Sequence, residues 1–97
     1  MALKFKMRDI KIHNCDLIYR GPQSEESPHL SFINLDGSAR VDFDLSPAIR
    51  KIMFIGINAV KHIAAEENVE RDKEMAYIKA YIVNFAEMIE HYNDKQE

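Results

Sequence analysis

Several sets of side chains in this sequence have types and spacings that could do chemistry. Asp42 and Asp44 stand two apart in an alternating run, which places both carboxylates on one face of a strand. Hard cations take such oxygen ligands, but a calcium site needs six or more oxygens, and no ligand-rich loop surrounds this pair. His62 with Glu66, and Glu87 with His91, each set an imidazole and a carboxylate one helical turn apart. Either pair is half a metal site. In an antiparallel hairpin His62 falls near the connecting end and His91 near the open end, so the pairs do not converge within one chain. They read as surface ion pairs. Cys15 lies two residues from His13, but a thiolate nucleophile needs a base and an orienting group brought in by the fold. The thiol reads as structural. The sequence has no glycine-rich phosphate loop, no zinc-ligand spacing and no nucleophile elbow. The expectation is a non-enzymatic chain with no cofactor and no metal.

A fourth set is basic and aromatic. Phe5, Tyr19 and Phe32 stand among Lys4, Lys6, Arg8 and Arg20. Such a mixture on a sheet face can stack single-stranded bases, with Lys4, Lys6 and Arg8 as the candidate nucleic-acid contacts. Against this, Phe5 and Phe32 fall on the expected core side. The charge balance also disfavours a bulk nucleic-acid surface. The chain carries −3 overall, and residues 66–97 hold nine acids against four bases, while residues 1–20 hold five bases against two acids.

These residues need elements to position them. The chain has 97 residues, 46% hydrophobic and 30% charged, with three glycines and three prolines. That is the profile of one ordered domain, 1–97. Residues 1–45 read as strands, 46–93 as two helices and 94–97 as a frayed tail. The longest apolar run, Ile52 to Ile57, is too short to span a membrane. A single cysteine excludes an internal disulfide, and the start lacks the apolar stretch of a signal peptide, so a cytoplasmic setting is expected.

Leu3, Phe5 and Met7 are apolar at odd positions, and Ile10 and Ile12 at even ones. One strand would need a bulge near Arg8-Asp9 to switch faces; two strands or a separate arm would also serve. His13 to Asp16 reads as a turn, and Leu17 to Tyr19 as a short strand. Gly21 to His29 reads as a mobile loop, since no apolar residue anchors its middle. Asp36-Gly37 suits a two-residue type I′ turn, which pairs Leu30 with Phe43, Phe32 with Val41 and Ile33 with Arg40.

Ser46-Pro47 is a helix start, cap followed by first-turn proline. Apolar residues from Ile49 to Ala64 then cover roughly 200° of arc, about twice what a surface helix buries. That helix must therefore touch the sheet on one side and a second helix or subunit on the other. Asn68 breaks it, and a second helix runs from about Val69 to Tyr92. Its seam is Met75, Ile78, Ile82, Phe85, Ile89 and Tyr92. The expected fold is α+β: a small antiparallel sheet of three or four strands packed on an antiparallel helical hairpin.

Phe54 falls amid Arg50, Lys51, Asn58, Lys61 and His62 on the polar arc of the first helix, and Val83 lies between Lys79 and Glu87 on the second. An aromatic among charges is a common contact anchor. Phe54, Arg50, Lys51, Lys61 and Val83 are therefore the candidate partner-binding residues. The functional expectation is a protein-interaction module, a homodimer and a small regulator or inhibitor of a larger nucleic-acid-handling complex. The alternative is a small-ligand or single-stranded nucleic-acid binder using the basic N-terminal strand.

Overall fold

A computed structural model describes residues 4–96. An antiparallel sheet of three strands, β1 (Cys15–Tyr19), β2 (Leu30–Asn34) and β3 (Arg40–Phe43) in that order, occupies the N-terminal half. Two helices follow, α1 (Pro47–Glu66) and α2 (Arg71–Gln96). The α+β architecture agrees with the sequence reading.

The hairpin keeps the register that alternation demands. Leu30 pairs with Phe43, Phe32 with Val41 and Ile33 with Arg40. Leu30, Phe32, Ala39, Val41 and Phe43 are buried, and Arg40, Asp42 and Asp44 are exposed. The turn is wider than the expected type I′. The Gly37 N–H donates to Asn34 O at 2.9 Å, and the Asn34 N–H donates to Ala39 O at 3.0 Å. Gly37 has φ +75°, and Asp36 does not share its positive φ. The Asp36 carboxylate is the reason. It accepts the Ser38 N–H at 2.9 Å, an Asx-type bond that satisfies the backbone without a primed turn.

Residues 4–14 correct the strand expectation. Met7–Asp9 and Ile12–Asn14 are single 3₁₀ turns; Leu3 lies outside the described residues. Met7 and Ile10, three apart, are both buried, so the switch from odd to even is one turn of a threefold helix. Side chains take the donors that a strand would have offered. The Met7 N–H goes to Glu90 at 2.9 Å, the Lys6 N–H to Asp9 at 2.8 Å and the Lys11 N–H to Asn34 at 2.7 Å. Cys15 and Asp16 already belong to β1 rather than to a turn.

Ser46 caps α1, its hydroxyl accepting the Ile49 N–H at 3.3 Å. Asn68, at φ +54°, ends the helix in the left-handed conformation. The Val69 N–H reaches Ala64 O at 2.9 Å and the Asn68 N–H reaches Ala65 O at 3.3 Å, the two bonds of a Schellman motif. α2 starts two residues later than expected. It also continues through the segment read as a frayed tail, as far as Gln96. The Lys6 ammonium, 2.7 Å from Asp94, helps hold that last turn.

Both helices lie on the same face of the sheet. Met53 and Ile57 from α1, and Ile78, Ile82, Phe85 and Ala86 from α2, join Leu30, Phe32 and Val41 in one core. Ile52 lies beside Met88, and Val60 and Ile63 lie beside Tyr77, so the helices run antiparallel.

Candidate interaction face

The anchor residues expected from the polar arc do not form a surface. Phe54 is half-buried, its ring centroid 5.6 Å from that of Tyr19 at an interplanar angle of 57°. β1 thus covers the aromatic with one of its own. Arg50 is 6% exposed. Its Nε donates to Leu45 O at 3.1 Å, and its guanidinium also donates to Ser24 O. At spacings of three and four it shares a stripe with Met53, Ile57 and Ala64, all buried. Val83 is 5% exposed and part of the core. Of the five expected partner contacts, only Lys51 and Lys61 are exposed.

The basic and aromatic set is likewise dispersed. Phe32 is fully buried, and Phe5 and Tyr19 are half-buried. Lys6 pairs with Asp94, Lys11 with Asp36 and Arg20 with Glu26. Lys4 and Lys6 line a groove of about 320 Å³ with Arg40, and Asp42, Glu90 and Asp94 line it too. The groove therefore carries both signs of charge. Arg8 is exposed on the first 3₁₀ turn.

Glu87 and His91, expected as a surface ion pair, are both exposed and form none among the described residues; the other chemical residues make local bonds. Asp42 accepts from Ser31 Oγ at 2.6 Å and from Arg40 Nε at 2.9 Å. His62 Nε2 lies 3.2 Å from Glu66 Oε1, with both side chains exposed. The buried Cys15 thiol donates to Ile12 O at 3.5 Å, while His13 is exposed. Among the described residues there is no cluster of three or more metal-ligating side chains. The 21–29 loop, expected to lack anchors, is pinned by polar ones. Arg20 Nε donates to Pro28 O at 3.0 Å, Arg50 reaches Ser24, and Ser27 bonds Asp44.

Apolar surface gathers elsewhere, on the side of the helical hairpin away from the sheet. Ile52, Ile55 and Ile63 on α1 and Tyr77 and Met88 on α2 are 52–69% exposed. Tyr81 crosses between the helices and lies over Gly56, where an added Cβ would sit 2.0 Å from its hydroxyl oxygen. Partial burial pushes the Tyr81 hydroxyl pKa above its ordinary value. On either side of this crossing lies a shallow hollow. One, of about 530 Å³, is lined by Val60, Ile63, Val69 and Tyr77. The other, of about 250 Å³, is lined by Ile52, Tyr81, Phe85 and Met88.

The sequence signal for this face was the surplus width of the first apolar stripe. On α2 the signal is a second seam, Tyr77, Tyr81, Asn84 and Met88, at spacings of four, three and four. It runs beside the buried seam and escapes a search for the strongest one. Comparisons with protein-family models, curated proteins and solved structures returned no match to this chain.

Proposed function

We propose that this chain is a non-enzymatic protein-interaction module, with a protein partner docking on the outer face of the α1/α2 hairpin. The observation that carries the reading is a contiguous apolar face where an isolated helix pair would carry charge. Single exposed hydrophobes are ordinary on any surface, but a continuous patch rimmed by polar residues is the mark of an interaction site. On α1 the seam Ile52, Gly56, Ala59 and Ile63 bears no charge, and on α2 the seam Tyr77, Tyr81, Asn84 and Met88 bears none. A small module of this kind would act by occupying a surface, as a regulatory or inhibitory subunit does.

The test is capture by the immobilised chain, compared with an Ile55→Glu/Met88→Glu variant and with an Arg40→Ala variant on the opposite face of the sheet. Binding that is lost in the first variant and kept in the second supports the reading. Binding indifferent to both, or lost equally in both, overturns it.

A further inference from the structure

Resting on that docking face, we infer that its occupant is a second copy of this chain, packed helix layer against helix layer into a four-helix arrangement. The face is complementary to itself. On α1 the outward seam is Ile52, Gly56, Ala59 and Ile63, at spacings of four, three and four. The outward seam of α2 repeats the same spacings. Two antiparallel helices that carry matched seams on one face can interdigitate with an identical face, as the layers of a bundle do.

Charge at the corners of the face points the same way. Gly56 meets Tyr81, and Ile52 lies with Met88, so Lys51 is about level with Glu87, and Glu66 about level with Lys73. At 3.6 residues per turn all four project toward the rim of the outer face. Round the rim the signs alternate: Lys51, Glu87, Lys73, Glu66. A twofold axis along the helices sets α1 on the partner's α2 and brings Lys51 to Glu87. A twofold axis across the helices sets α1 on the partner's α1 and brings Lys51 to Glu66. Either axis lays plus over minus at every corner, so the face is electrostatically complementary to itself. Lys51, Lys73 and Glu87 are exposed and have no ion-pair partner among the described residues.

The area suffices. About 18 residues of each helix give a length of roughly 27 Å, and two helices side by side a width of roughly 20 Å. Two copies would bury on the order of 1,000 Å² or more, the floor for a specific interface. A dimer of micromolar affinity is expected from such a surface.

The experiment is sedimentation equilibrium of the full chain over a range of concentrations. Wild type should pass from 11.3 kDa to twice that mass. Ile55→Glu should weaken association by about a hundredfold or more with circular dichroism unchanged, since it buries a charge at the apolar centre. Ile55→Gln serves if the glutamate variant misfolds. Lys51→Glu should weaken association by about tenfold, through two symmetry-related contacts. Adding Glu87→Lys should restore it if α1 packs on the partner's α2, and adding Glu66→Lys should do so if it packs on the partner's α1; either rescue supports the inference. A wild type that stays monomeric at millimolar concentration overturns it, as does a dimer indifferent to both Ile55 variants. A monomer that still captures a foreign protein through Ile55 and Met88 leaves the docking face standing and removes only the second copy. A monomer with no face-dependent capture removes both.

Discussion

A methyl group on Gly56 would lie 2.0 Å from the Tyr81 hydroxyl oxygen and 2.1 Å from the ring carbon that bears it. The phenol must swing away to admit it, giving up its packing across the helix crossing. Glycine inside a helix costs about 1 kcal/mol relative to alanine, so the two effects oppose. Gly56→Ala alone should lower stability by about 1–2 kcal/mol, because overpacking outweighs propensity. In a Tyr81→Ala background the same change should raise it by about 1 kcal/mol. Urea unfolding of the four proteins gives the cycle, and additive effects would refute the contact. Tyr81 was not legible in the sequence as the neighbour of Gly56, because a contact between residues 25 apart depends on the register of two helices. Asp36 is a second case. The Lys11 ammonium, then the Ser38 hydroxyl and N–H, hold its carboxyl well below the usual carboxylate range. A lowered folded pKa contributes stability above the unfolded value of about 3.9, lost as pH falls through the folded one. Carboxyl titration by NMR should find Asp36 still ionised well below the usual carboxylate range, and Lys11→Met should bring it back toward that range.

At the scale of elements, the hairpin and the cap of α1 were readable because local chemistry and hydrophobic pattern agree there. Leu30, Phe32, Val41 and Phe43 alternate, and Asp36-Gly37 marks the turn between them. The turn type was not readable, because it rests on one side-chain bond from Asp36. Gly37 is nevertheless required, at φ +75°. Gly37→Val should destabilise by about 1–3 kcal/mol in thermal unfolding, the cost of a β-branched residue in the left-handed region. Arg50 escaped the sequence reading because a guanidinium is assigned to solvent by its charge, although its spacing sets it on the stripe of Met53 and Ile57. Here its planar fork spans two carbonyls, Leu45 O at the start of α1 and Ser24 O in the 21–29 loop. A lysine presents a point charge and cannot reproduce that fork. Arg50→Lys should therefore behave almost as badly as Arg50→Ala, each losing about 2–3 kcal/mol by strands of unpaired carbonyl and unpacked core. Full rescue by lysine would mean that charge alone, not geometry, matters at this position.

The whole molecule is closed by residues 4–14, which tie the open end of the helix pair to the sheet. Lys6 and Met7 bond Asp94 and Glu90 near the end of α2, and Lys11 and Asp9 bond Asn34 at the end of β2. Asn34 is the hub. It is 1% exposed, its Oδ1 accepts the Lys11 N–H at 2.7 Å, and its Nδ2 donates to Asp9 O at 3.1 Å and to Ser38 Oγ at 2.9 Å. No sequence pattern marks it, because an asparagine beside a turn is commonplace, and two of its three partners lie more than 20 residues upstream. Burial of this amide without partners would cost about 1–3 kcal/mol for each stranded group, so the three bonds must form together. Asn34→Ala should then lower stability by about 2–4 kcal/mol and open residues 4–14 first, since the backbone donors of Lys6, Met7 and Lys11 go to side chains rather than to a ladder. Asn34→Asp retains the acceptor for the Lys11 N–H and loses the donor to Asp9 O, so it should fall between wild type and alanine. Native-state hydrogen exchange reads this directly. The amides of Met7, Ile10 and Lys11 should lose protection in Asn34→Ala, while those of α1 and α2 keep most of theirs. Equal loss across both helices would mean instead that the N-terminal segment and the helix pair unfold as one cooperative unit.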